Sequence, residues 1–350
     1  MSWKAKRLLG MALGCGGILV LLTSGGITGQ GIREGLTLCG DVVIPALFPM
    51  MVAANFLARS GGADLLSRLL APVLSPLLRL PKAACATVVL SFLSGYPTGA
   101  ALVTRLRQEG RIDGATARRM TDFCINGGPG MILLAVGKGM LGSWQAGWIL
   151  LICHLCASLL IGAVGARWAP RPKGTPFPPS NTEGIASAFV NATADACGQI
   201  LTLSGFVLLF SGLAALTPPA WQVALPILEV TRGTLALAQA GCPLPVMAAA
   251  LGFGGLSVQF QALSQCRGGV SFARIFAART LHAGVSAALC ALAVRLFPRA
   301  VETAAGSAPL FGQRPSLIPC AVGMLLTAAA MLATAAEKND SSLSKRNVVE

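Results

Sequence analysis

Residues 83–104 read AACATVVLSFLSGYPTGAALVT, and the rest of the chain is organised around them. The stretch is apolar enough to enter a membrane. Its middle, Ser94-Gly95-Tyr96-Pro97-Thr98-Gly99, opposes a continuous helix. Pro97 has no N–H to donate and its ring strikes the carbonyl one turn back. Gly95 and Gly99 lower helix propensity further. Broken backbone in lipid leaves polar groups unsatisfied, so it survives only when buried in protein or lining a wet cavity. Two readings stand at this point: a discontinuous helix that forms a binding site, as in secondary transporters, and a Pro-kinked spanning helix with no ligand.

Composition fixes the class. The chain has 350 residues, 54% hydrophobic and only 11% charged, with a mean hydropathy of +0.70. Soluble domains carry about a quarter charged residues. The expected fold is all-α: a polytopic transmembrane helical bundle. Net charge is +14, from 27 Lys+Arg against 13 Asp+Glu. These basic residues lie between apolar segments, where they set topology and meet anionic headgroups. One Tyr in the whole chain excludes the aromatic-basic interleaving of a nucleic-acid surface. The partner expected from composition is the lipid bilayer, with no nucleic acid. Eleven scattered cysteines read as small hydrophobes rather than a disulfide framework. Cys153-His154-Leu155-Cys156 lacks a second ligand pair, so no metal and no cofactor is expected.

In chain order, Lys4, Lys6 and Arg7 precede an apolar run from Leu8 to about Thr28. This is either a signal peptide or an uncleaved first span; the run length and the lack of a cleavage site favour the span, with a cytoplasmic N-terminus. We assign 1–40 as a signal-anchor span. Residues 42–58, VVIPALFPMMVAANFLA, are a second apolar segment punctuated by Pro45 and Pro49. Between 59 and 82, leucines recur at helical spacing among Arg59, Arg68, Arg79 and Lys82. That predicts an amphipathic helix at the interface or packed on the bundle, interrupted by Pro72 and Pro76.

Arg105, Arg107, Arg111, Arg118 and Arg119 mark a cytoplasmic loop. Both flanks of 83–104 are basic, which favours a re-entrant hairpin turning at Gly95-Tyr96-Pro97. A second interruption is Cys124-Ile125-Asn126-Gly127-Gly128-Pro129-Gly130, with Pro129 suited to the first turn of a new helix near Gly130. Trp144, Trp148 and Trp168 frame the next span. This makes 41–168 the first membrane repeat, and 169–196 a Pro-rich linker with a short interfacial helix. The second repeat is 197–298. It holds a clean span at 197–216, then Pro226-Ile227-Leu228-Glu229-Val230-Thr231-Arg232-Gly233, where Glu229 and Arg232 share a helix face and either pair or leave Glu229 dry and unpaired. Gly252-Phe253-Gly254-Gly255-Leu256-Ser257-Val258-Gln259-Phe260-Gln261 then repeats the glycine-broken theme, followed by a loop with Arg267, Arg274 and Arg279 and a span at 280–297. Residues 299–350 hold a last span and a polar tail. The shared order of the halves predicts a duplication, each half with one Gly/Pro-broken segment.

These four motifs in this order, over about 45–298, resemble the YlbJ-type sporulation integral membrane proteins. That group carries a nucleoside-recognition Gate domain, also found in nucleoside transporters and the ferrous iron transporter B. The resemblance implies a multi-pass inner-membrane protein needed for spore development, with transport of a small polar, nucleoside-like solute. The candidate binding residues are Gly95, Tyr96, Pro97, Thr98, Gly99, Asn126, Glu229, Arg232, Gly254, Gly255, Ser257, Gln259 and Gln261. The alternative is a non-transporting structural or assembly protein of the sporulating membrane. A serine–histidine protease reading of Ser257 and His282 lacks the glycine expected at Val258, so no catalytic residues are assigned.

Overall fold

A computed structural model describes residues 3–169, 182–218 and 224–297. No strand occurs among the described residues. The helices are α1 (Trp3–Thr23), α2 (Gly25–Leu38), α3 (Ile44–Arg59), α4 (Gly62–Leu78), α5 (Cys85–Ser94), α6 (Thr98–Gln108) and α7 (Gly114–Thr121). A wide-turned π-helix, Gly130–Met140, leads to α8 (Trp144–Ala166) and α9 (Ile185–Ala214). The chain continues as α10 (Leu225–Leu228), α11 (Val230–Gln239), α12 (Leu244–Phe253), α13 (Gly255–Gln265) and α14 (Phe272–Leu296). Among the described residues, five helical stretches are long and apolar enough to cross a membrane: Gly25–Arg59, Trp144–Ala166, Ile185–Ala214, Leu244–Gln265 and Phe272–Leu296. The chain is a polytopic helical membrane protein, as its composition requires.

The packing follows from where the small residues lie. α12 lies along α14, α9 lies along α2 and α3, and α8 packs on the π-helix. Around these contacts the buried core is aliphatic, with Leu150, Met247, Leu251 and Ile132 fully enclosed. Outside, Leu65, Leu69 and Val73 of α4 stand exposed at i, i+4 spacing, the apolar stripe that an interfacial or lipid-facing helix presents. The pair α4 and Lys82–Ser94 is bent by 107°. Trp144, Trp148 and Trp168 are exposed, as membrane-interface anchors are.

Several element boundaries differ from the sequence expectation. The boundary at 40/41 falls inside the continuous 35-residue helical stretch Gly25–Arg59. A π-helical turn at Cys39–Val43 sits immediately before Pro45 and widens the helix where the proline needs room. Pro72 and Pro76 do not interrupt α4; both are exposed, so the helix accommodates their rings on its outer side. The expected short helix before 197 and the span after it are one 30-residue helix. Arg274 and Arg279 lie on α14 rather than in a loop. Most of the Pro-rich linker and the whole of the last span and tail lie outside the described residues.

Candidate functional site

The interruption in the opening stretch is a sharp one. α5 ends at Gly95 (φ 75°, ψ −169°), the Tyr96–Pro97 bond is cis, and α6 starts at Thr98. The half-helices pack on each other, and everything from Ser94 to Ala100 is buried. Gly99 is dictated by its neighbour: a Cβ there would sit 1.9 Å from the Cys124 carbonyl oxygen. The first and second interruptions therefore touch backbone to backbone. Pro129 does open the next helical segment at Gly130.

The second half brings two further breaks to the same place. Glu229 is extended (φ −140°, ψ 124°) between α10 and α11. Gly254 (φ 77°) and Gly255 (φ 71°) separate α12 from α13. That left-handed backbone is where glycine is needed. Tyr96 reaches across and its hydroxyl donates to the Leu251 carbonyl at 2.8 Å, one turn before the Gly254 break.

Glu229 is 1% exposed, and of its two expected arrangements the helix-face pair with Arg232 does not form. Its carboxylate accepts the backbone N–H of Thr231 (3.0 Å) and of Arg232 (2.6 Å), capping α11. An extended residue that caps a helix cannot also lie on that helix's face. The Arg232 guanidinium instead pairs with Glu34 of α2 at 2.7 Å and donates to the Ser211 carbonyl.

A small cavity lies between these elements, with about 20 Å³ open to a water centre. Tyr96, Glu229, Thr231 and Gln261 contribute its polar wall and Leu47, Met131 and Val258 part of its apolar wall. Gln261 donates to Ser257 Oγ at 3.0 Å, and Gln259 donates to the Phe253 carbonyl at 3.4 Å. The side-chain carbonyl oxygens of both glutamines are buried without a hydrogen-bond partner. Such atoms cost about 1–3 kcal/mol each when left unpaired.

Two predicted residues point elsewhere. Thr98 donates to Gln199 Oε1 at 2.9 Å, and Asn55 shares that oxygen at 3.3 Å. Asn126 donates to the Phe123 carbonyl and accepts from Ser158 at 2.5 Å. Gln199 and Asn55 are not among the expected binding residues; each is a lone amide inside an apolar run. His154, His282 and Arg279, none of them among the expected binding residues, join the same interior. Gly127 N–H donates to His154 Nε2 at 3.0 Å, so that imidazole carries its proton on Nδ1 when neutral. His282 Nε2 faces the His154 carbonyl at 2.9 Å, and the two rings are 4.4 Å apart. Arg279 is fully buried and donates to the Ile125 and Gly252 carbonyls, one beside each glycine-rich break. Ser257 bonds Gln261 and His282 bonds His154; no Ser257–His282 hydrogen bond occurs among the described residues.

Two comparisons with known proteins find a match. Residues 42–144 match the family model described as Gate, nucleoside recognition. The chain is 26% identical over 308 residues to the sporulation integral membrane protein YlbJ of Bacillus subtilis (strain 168), covering 73% of this chain and 75% of that one. The resemblance is to YlbJ-type sporulation membrane proteins. No solved structure matches the chain. The Gate match runs from the π-turn before α3 to the start of α8 and so contains the Tyr96 break and the Asn126 break.

Proposed function

We propose that this chain is a transporter-like protein of the inner membrane of a sporulating cell, with its N-terminus in the cytoplasm, that passes a small polar solute where its broken segments cross. One observation carries the reading: four interruptions, at 95–97, 124–129, 229 and 254, converge in the buried interior instead of facing lipid. Discontinuous helices at an internal crossing are how membrane proteins expose backbone groups to a solute. The polar groups there are mostly neutral, which suits a nucleoside-like solute better than a bare ion.

A second reading has its own support. The cavity is far below the roughly 300 Å³ at which ligand pockets begin. The transporter reading therefore requires this to be a closed state that opens. A non-transporting structural protein requires nothing further.

Thiol labelling separates them. Native cysteines are replaced, and single cysteines are introduced along 83–104 and 243–263. A membrane-impermeant reagent is then applied from each side. Labelling at positions 96, 98 and 257 is the transporter outcome. If the centres stay unreactive while the ends label from opposite sides, the segments are kinked spans and the structural role is preferred. Tyr96→Ala and Gln259→Ala provide the cellular counterpart: intact abundance with lost spore development.

A further inference from the structure

Away from the crossing, the outer face of α14 carries two open apolar troughs. One, of about 610 Å³, lies between α14 and the C-terminal half of α8, with Leu160, Val164, Leu281 and Val285 along its length. The other, of about 680 Å³, runs past Phe276, Gly284 and Ala288. Ala277, Leu281 and Val285, successive turns of α14, border both and form a ridge between them. From Arg274 to Val285 the helix rises about 16 Å, close to one leaflet of a hydrocarbon core about 30 Å thick. The mouth of the first trough is polar, lined by Trp168, Arg274 and Asp122. Arg274 holds Asp122 through Nε at 2.8 Å and Nη2 at 2.6 Å. Arg79 donates to the carbonyls of Arg167 and Ala169, on either side of Trp168. Arg119 donates to the carbonyls of Leu78 and Arg79 and lies within electrostatic reach of Asp122 and Asp113. Arg118 and Arg167 flank this group in sequence. Of these arginines, only Arg274 has a salt-bridge partner among the described residues, so cations outnumber the two carboxylates.

We propose that this face of α14 binds one anionic diacyl phospholipid, its phosphate at the mouth formed by Arg79, Arg119 and Arg274 and its two acyl chains astride the Ala277–Leu281–Val285 ridge. Guanidinium forks match phosphate oxygens, and basic pockets between spanning helices take acidic headgroups. The positive-inside rule assigns this arginine-rich end to the cytoplasmic leaflet, where anionic lipid is concentrated. Trp168, 79% exposed, stands at headgroup level. The excess of cations separates a lipid from an apolar occupant. A second copy of the chain, or another helix of it, would fill the troughs and leave the guanidiniums unanswered. Arg279 and His282, which reach toward the breaks, lie on the buried face of α14, so the lipid site does not depend on the transport reading.

The test is the thermal unfolding of the purified full chain in detergent, with dioleoylphosphatidylglycerol or dioleoylphosphatidylcholine added at equal mole fraction. Wild type is expected to gain about 2–4 °C more from the anionic lipid, a difference that shrinks as salt is raised. Arg79→Gln removes a cation whose partners are backbone carbonyls. Gly284→Trp fills the second trough from a position where an added Cβ meets nothing within 4 Å. Both are expected to lose most of the difference. It is read within each variant, so a lower starting midpoint does not imitate the effect. Equal gains from the two lipids overturn the proposal, as does a full difference retained in both variants. Glycerol 1-phosphate alone reproducing the gain makes this a free-phosphate site and overturns it. So does a dimer, sized by light scattering, that Gly284→Trp splits while neither lipid is preferred; the occupant is then a second copy.

Discussion

The Tyr96 hydroxyl donates 2.8 Å to the carbonyl of Leu251, a residue 155 positions further along the chain. Leu251 lies in the last turn of α12, where its carbonyl has no helical N–H to accept because the helix stops at Phe253. The only tyrosine in the protein thus closes one break with the orphan left by another. Tyr96→Phe keeps the ring and removes the donor, leaving a buried carbonyl unpaired. The expected loss is about 1–3 kcal/mol, read as a lower unfolding midpoint in a fixed detergent. Tyr96→Ala should cost more, about 3–5 kcal/mol, because a void is added. Equal midpoints for wild type and Tyr96→Phe would show that the bond contributes nothing.

Glycines in this chain fall into two classes that a single substitution separates. A Cβ at Gly99 would meet the Cys124 carbonyl oxygen at 1.9 Å, and neither backbone can yield without opening the contact between the first two breaks. Gly198, inside α9, has nothing within 4 Å of an added methyl. Gly99→Ala is expected to abolish stable folding or cost several kcal/mol, as overpacking against fixed backbone does. Gly198→Ala should be neutral or stabilising by up to about 1 kcal/mol. Yields of folded protein by size exclusion, compared side by side, decide the matter.

Much of the fold is legible in the sequence because membrane insertion constrains composition so tightly. The Gly95-Tyr96-Pro97 turn, the new helix at Gly130 and the Gly254 break all announce themselves through residues that oppose helices. What stays hidden depends on partners distant in sequence. Glu229 and Arg232 are three apart, and nothing local says that one caps a helix while the other reaches Glu34. Arg279 reads locally as a topology-setting charge; only the convergence of the Ile125 and Gly252 carbonyls explains burying a guanidinium. Gln199 escapes notice because one amide barely dents the hydropathy of a 30-residue helix.

At the Arg-rich segment, Asp113 caps α7 by accepting the Thr116 N–H at 2.7 Å. Hydrogen bonds from the Thr116 backbone and hydroxyl hold its carboxyl below the ordinary carboxylate range, against a smaller opposing effect of burial. A folded value below the unfolded one of about 3.9 means that the stabilisation is complete above the unfolded value and is lost as pH falls through the folded one. The side chain is largely exposed, so solvent screens the charge part of the effect. Asp113→Asn should retain most of the cap at neutral pH and lose its acid sensitivity, whereas Asp113→Ala should cost about 0.5–2 kcal/mol at neutral pH. Unfolding midpoints of the three proteins from pH 7 to pH 3 check both points. A wild-type profile parallel to that of Asp113→Asn would remove Asp113 from the account.

Gln199 accepts from both Thr98 and Asn55, which ties the N-terminus of α6 to α9 and α3 through one oxygen. Burial of all three leaves no water to replace a missing partner. Removing the acceptor in Gln199→Leu strands two donors, while removing one donor in Thr98→Val strands none, because Asn55 still serves the oxygen. The single costs should therefore be unequal, about 2–3 kcal/mol for Gln199→Leu and about 1 kcal/mol for Thr98→Val. The double variant should cost less than their sum, with a coupling of about 0.5–2 kcal/mol. Chemical unfolding of the four proteins in one detergent gives the cycle. Simple additivity would mean that Thr98 and Gln199 do not share a bond in the folded state, and the α6 start would then be held by packing around Gly99 alone.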